Sequence, residues 1–123
     1  MTDEQKTALR IWNAEKLGWT GIHIGESYSL SKPEQYLVGT QKGFVLFVTS
    51  IPPLDLNTLA KVEKVVCKEF GFWFYLERWN NTKKPLTKLK WFDKDRFILC
   101  VINPDELTAR IEALFAVKEW CEK

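Results

Sequence analysis

The chain is poor in the side chains that most often carry chemistry. Among 123 residues there is one histidine, His23, and there are three cysteines, Cys67, Cys100 and Cys121. The cysteines are odd in number, widely spaced and form no C-x-x-C pair. This speaks against a disulfide scaffold and against a cysteine-rich zinc site. They read as buried free thiols in a reducing cytosol. His23 has no histidine or cysteine at ligand spacing and reads as a partly buried or surface imidazole. There is no G-x-S-x-G elbow and no Cys–His signature. The glycines build neither G-x-G-x-x-G nor a Walker loop, since Gly18 and Gly21 are followed only by Gly25, where no helix opens. The expectation is a protein that is not an enzyme and holds neither cofactor nor metal.

Other shortages concern bulk properties. The longest apolar runs, Phe72 to Leu76 and Phe97 to Ile102, fall far short of the roughly 20 residues of a membrane helix. The opening MTDEQKTALR brings acids early and has no apolar signal core, so a cytoplasmic protein without membrane partners is expected. Neither sign of charge dominates: 18 basic and 16 acidic residues leave a net charge of +2. That is neither the balance of a dedicated nucleic-acid binder nor that of an acidic mimic of DNA. Low-complexity tracts are missing. A chain of this length buries roughly two-thirds of its surface, so residues 1–123 are expected to form a single domain with one core.

The excess is aromatic: six Trp, eight Phe and three Tyr make 14% of the chain. Their placement follows from the elements. Residues 2–17 read as a helix, opened by a capping box of Thr2 with Gln5 and closed at Gly18. Trp19 then re-enters the core. Residues 20–43 are hard to read: Ile22-His23-Ile24 and Tyr28-Ser29-Leu30 alternate like short irregular strands, and Ser31 to Pro33 and Gly39 to Gly43 look like turns. Phe44 to Val48 reads as a strand covered on both faces. After Pro52-Pro53, Asp55 or Asn57 caps a helix to about Phe70. Its stripe is Leu56, Leu59, Val62, Val66 and Phe70, with Lys61, Glu63, Lys64 and Lys68 facing water. Gly71 stops it. Strands are expected at Phe72 to Trp79 and at about Arg96 to Ile102, paired as an antiparallel hairpin, with 86–92 as loop or short strand. Asn103 caps the last helix, Pro104 takes its first position, and Leu107, Ile111, Leu114 and Cys121 form its stripe beside Phe115.

Three strand candidates are apolar on both faces. A sheet open to water on one face alternates with polar residues, so helices are expected on both sides. The expected class is α+β: a helix/sheet/helix sandwich of three helices around a mixed four- to five-stranded sheet, in the order α-β-β-α-β-β-α. The strand at 44–48, the helix at 56–70 and the strand at 72–79 would form a right-handed crossover.

This order of pieces resembles the phage ABA sandwich domain family. The features that carry the resemblance are Ala14-Glu15-Lys16-Leu17-Gly18-Trp19, the Pro53 to Val66 entry to the second helix, the aromatic strand from Gly71 to Trp79, and the Asn103-Pro104-Asp105-Glu106 start of the last helix. They cover about 1–19 and 53–121. The stretch 20–50 does not match, and Leu54-Asp55-Leu56-Asn57 departs from the start the family leads one to expect. The resemblance implies a small phage or prophage protein with a helix–sheet–helix sandwich. It brings no catalytic residue.

One cluster stands out for binding. Between Arg78 and Arg96 lie seven basic residues and two acids, so the segment carries +5 and the remainder of the chain −3. Trp79, Trp91 and Phe92 lie among these cations. Cations neutralise phosphates and aromatic faces stack on unpaired bases. The candidate contact residues are Arg78, Trp79, Lys83, Lys84, Lys88, Lys90 and Trp91. The preferred expectation is a non-enzymatic interaction or accessory protein, of phage or prophage type, with a protein partner. The alternative is a nucleic-acid-binding module using 78–96. A third reading places a pocket under 20–43, with His23, Glu26 and Tyr28. A solvated loop, with lysines that discourage edge pairing, accounts for the same composition.

Overall fold

The computed structural model describes residues 1–26, 35–41, 49–79 and 85–123. In chain order the elements are α1 (Asp3–Lys16), β1 (Trp19–Glu26), β2 (Gln35–Gln41), β3 (Thr49–Ser50), α2 (Leu56–Phe70), β4 (Phe72–Trp79), β5 (Leu86–Asp93), β6 (Arg96–Asn103) and α3 (Glu106–Cys121). The class is α+β. The expected strand at Phe44 to Val48 and the alternation at Tyr28 to Leu30 lie outside the described residues.

Local chemistry sets the helix ends. The Gln5 N–H donates to Thr2 Oγ1 and the Thr2 N–H to Gln5 Oε1, at 3.1 and 2.9 Å, so the capping box closes as expected. Asp55, not Asn57, caps α2 by accepting from the Thr58 N–H at 2.8 Å. Gly71 ends that helix in the left-handed region, with φ 74°. The start of α3 differs from expectation. Asp105 is the cap and accepts from the Thr108 N–H, while Asn103 sits two residues earlier and accepts from the Asp105 N–H. The buried face of α3 also differs: it runs through Ala109, Ala113, Leu114 and Val117. The small side chains at 109, 113 and 117 recur every fourth residue and let the helix approach its neighbours closely. Leu107 and Ile111 flank them, half-buried.

The single mixed sheet is replaced by two three-stranded sheets among the described residues, in the orders β1-β2-β3 and β4-β5-β6, and every pairing is antiparallel. Residues 86–93 form the central strand of the second sheet, so β4 and β6 do not pair directly. Short connections between consecutive strands favour this local meander over a crossover. Between Trp91 and Phe92 the register slips: Trp91 pairs with Leu99 and Phe92 with Phe97, which leaves Ile98 as the extra residue of a bulge. In the first sheet Gly39 lies inside β2, where a turn was expected. A Cβ there would stand 3.1 Å from both the Ile22 side chain and the Thr20 carbonyl, so a larger residue would have to push β1 and β2 slightly apart.

All three helices supply the core on one side of β4-β5-β6. Leu9 of α1, Leu59, Val62 and Val66 of α2, and Ala113, Leu114 and Val117 of α3 pack with Phe72, Leu89 and Trp91. A second cluster joins Ala14 of α1 to Trp19, Leu37 and Ile51 of the first sheet and its connections. Helix α1 thus serves both cores. Arg10 pins it further, donating through Nε to the Pro52 carbonyl at 3.0 Å and through Nη2 to the Ile51 carbonyl at 2.7 Å. The expected cover on both faces of the aromatic strands is not found: Trp73 and Phe97 are exposed.

Trp91 is fully enclosed and stacked on Phe74, with ring centroids 4.6 Å apart. Truncating a buried ring loses both transfer energy and packing, so Trp91→Ala is expected to cost about 3–5 kcal/mol. Trp19→Ala should fall in the same range, and Trp73→Ala well below it. Urea denaturation of the three variants checks the order; a wild-type midpoint for Trp91→Ala would contradict the core assignment.

Candidate functional site

A β-strand sends alternate side chains to opposite faces. With Thr87, Leu89 and Trp91 buried under the helices, Lys88, Lys90 and Phe92 point outward. The cross-strand partners follow: Trp73 lies opposite Phe92, Tyr75 opposite Lys90, and Glu77 opposite Lys88. On the other side Phe92 faces Phe97, Lys90 faces Cys100, and Lys88 faces Ile102. The outward face therefore combines aromatic rings, two lysines and aliphatic carbon. Trp73, Trp79, Phe97 and Ile102 are 47%, 49%, 56% and 58% exposed, against 0% for Trp91.

The rings are ordered. Trp73 stacks on Phe92 with centroids 4.2 Å apart and planes 11° from parallel. Tyr75 lies 6.0 Å from Phe92 at 15°, and Phe97 meets Phe92 edge-on at 5.9 Å. The Trp73 indole N–H donates to the Lys94 carbonyl at 2.7 Å. Lys94 forms the β5–β6 turn with Asp95 and adopts φ 54°, a region that glycine ordinarily takes. The indole bond helps to hold that turn. Lys88 Nζ sits 5.6 Å from the Trp79 ring and Lys90 Nζ 5.9 Å from the Tyr75 ring. Hydrogen bonding and charge from Tyr75 raise the Lys90 ammonium above its ordinary value.

The sequence candidates separate accordingly. Trp79, Lys88 and Lys90 share the outward face. Lys83 and Lys84 lie outside the described residues. Trp91 was expected among the contacts and is instead core. Arg78 leans the other way and pairs with Glu106 of α3 at 2.7 Å, not with Glu77, whose Oε2 accepts the Trp79 indole N–H at 3.2 Å. Trp73, Tyr75, Phe97, Cys100 and Ile102 belong to the face and were missed, because their strands read as covered on both sides. A signal existed: Thr87-Lys88-Leu89-Lys90-Trp91 alternates as a strand open to water on one face does.

Elsewhere, chemistry is sparse. The His23 ring places Nδ1 2.8 Å from the Gly21 carbonyl at an exposed position. Tyr28 and the side chain of Glu26 lie outside the described residues, and so does the pocket expected under 20–43. An open cleft of about 400 Å³ lies instead at the start of α1, between Asp3, Lys6, Arg10, Leu37 and Leu54. Its one guanidinium is the Arg10 already engaged with carbonyls. Among the described residues no cluster of three His, Cys, Asp or Glu side chains is placed to hold a metal, and no helix is long and apolar enough to cross a membrane. Of the thiols, Cys100 is exposed, contrary to expectation, and Cys67 and Cys121 are half-buried. Burial, with Glu63 nearby, pushes Cys67 up to about 11, so it stays a thiol at neutral pH.

The other notable polar group is Glu63, read from the sequence as helix surface and found 1% exposed. It faces α3, where Arg110 Nη1 approaches its Oε1 at 2.5 Å; Arg110 Nη2 also reaches Glu106, 3.3 Å away. Arg78, Glu106, Arg110 and Glu63 thus tie β4, α3 and α2 together. Among the described residues, Glu63 Oε2 and Arg110 Nε have no partner. Burial raises Glu63 to about 7, against the attraction of Arg110. The folded state therefore holds this proton more tightly than the unfolded chain. Its contribution is most favourable below the ordinary carboxylate range and is lost as pH rises to about 7. Glu63→Gln should gain stability relative to wild type across that window and level off above it. Paired urea titrations from acid to neutral pH measure the difference; a difference independent of pH would contradict the burial of an ionisable Glu63.

Comparison with family models, curated proteins and solved structures brings no match, so the geometry of the face is the guide to what the chain does.

Proposed function

We propose that the chain is a non-enzymatic interaction protein that engages its partner through the outward face of β4-β5-β6. One observation carries the reading: a contiguous group of aromatic and aliphatic side chains is left half in water on a sheet whose other face makes the main core. Contiguous apolar surface in water is unfavourable in proportion to its area and marks places that something else covers. The face is also prepared in advance. Its rings are stacked, and the Trp73 indole is hydrogen-bonded to the adjoining turn, so little order remains to be imposed on binding. An accessory role of phage or prophage type is the setting that the family resemblance supports.

The test compares wild type with a Phe97→Glu/Ile102→Glu variant, both immobilised and exposed to lysate of the native host. Circular dichroism confirms that each is folded. A Lys64→Glu change on the exposed side of α2 is the control. The expected result is a component retained by wild type and control and lost from the face variant. The same material on all three would overturn the reading.

A further inference from the structure

We infer that the occupant of this face is a single-stranded nucleic acid, held by stacking of unpaired bases on the exposed rings and by phosphate contacts to Lys88 and Lys90. The inference rests on the reading of the face as a binding surface and names the class of its partner.

Three observations select that class. The first is the mixture itself. Protein interfaces favour Trp, Tyr and Phe but are depleted of Lys, whereas single-strand sites interleave aromatic rings with cations that follow the backbone. Here the lysines lie on the central strand, with a tryptophan or tyrosine ring beside each. The second is charge. Among the outward side chains of the described strands only Glu77 opposes Lys88 and Lys90, and it is turned to the Trp79 indole. The central strand β5 also falls within the one segment of the chain with a strong positive balance, 78–96. A second copy docked face to face would bring the central lysines of two β5 strands together, which disfavours a homodimer there. The third is the condition of the rings. Trp79 stands apart from the stacked group and is half exposed, and Trp73, stacked on Phe92, is also half in water, so both indoles are open to an added base. A duplex keeps its bases stacked on each other and away from these rings. Unpaired strands are therefore preferred.

Fluorescence anisotropy with labelled oligo(dT) and oligo(U) of about 12 nucleotides, and with a duplex of the same length, tests the inference. Measurements run at about 50 and 200 mM salt. Saturable binding of a single strand is expected, with quenching of tryptophan emission and clearly weaker binding of the duplex. Two phosphate contacts on a single strand give a salt slope near −1.4, at about −0.7 each. Trp79→Ala should weaken binding about five-fold or more, the scale of one lost base stack. Lys88→Glu/Lys90→Glu should weaken it further. These side chains lie outside the core, and matching urea midpoints confirm intact folding. No saturable binding at the lower salt, equal binding by the variants, or preference for duplex would each overturn the inference. If the oligonucleotides fail while the Phe97→Glu/Ile102→Glu variant still loses a lysate component, only the nucleic-acid class falls. If the lysate comparison is also unchanged, the face itself is not the binding surface.

Discussion

The indole of Trp91 decides which way the carboxyl-terminal sheet faces. It lies in the middle of the central strand, stacked on Phe74 and closed over by the helices. Strand side chains alternate with a period of two, so enclosing this ring commits Leu89 and Thr87 to the same side and expels Lys88, Lys90 and Phe92. Antiparallel pairing then passes the choice to the neighbours. Trp73 and Tyr75 on one side, and Cys100 and Ile102 on the other, have no alternative to the outward face. A slip of one residue in β5 would bury two ammonium groups and expose the largest core side chain. The bulge at Ile98 lets β6 keep Ile98 and Leu99 against the core while Phe97 joins the outer rings.

Bridging between elements falls to the arginines and to Lys16, which joins α1 to Glu69 of α2 at 3.0 Å. Each of the four arginines joins separate elements: Arg10 ties α1 to the carbonyls beyond β3, Arg78 ties β4 to α3, Arg110 ties α3 to α2, and Arg96 of β6 lies over the Trp120 ring of α3. A planar guanidinium with several fixed donors suits such bridging, while an ammonium on a flexible stem stays hydrated at the surface. The segment 78–96 reads as one basic cluster only when the two kinds of cation are counted alike. In the fold, Arg78 and Arg96 serve cohesion, and Lys88 and Lys90 remain available on the platform.

What could be read from the sequence is what local chemistry decides. The Thr2–Gln5 box, the Asp55 cap, the Gly71 stop and the strands at 72–79 and 96–103 each depend on a few adjacent residues. What could not be read depends on partners distant in the chain. Glu63 sits among lysines and looks solvated until α3 brings Arg110 to it. Trp91 looks like part of a basic contact until the helices cover it. The division into two sheets depends on 86–93 pairing on both sides, which no local pattern dictates. The binding face was legible in part through the alternation of lysines in β5. Its aromatic members were hidden, because an apolar side chain exposed for binding has the same sequence signature as one buried in a core.

The outer edge of β6 has a consequence for the molecule's own company. From Phe97 to Ile102 the strand has no charge, no proline and no glycine, and among the described residues no strand pairs with that edge. Its backbone groups are a template for any extended chain that meets them, and uncharged β-branched and aromatic side chains favour the encounter. Arg96 is the one charged residue on the strand, and it leans toward α3. Keeping the chain dispersed therefore falls largely to the lysines of the neighbouring strand, whose mutual repulsion resists stacking of one copy on another. Neutralising them by acetylation or high salt would remove that restraint, and stacking of copies through this face would rise with concentration.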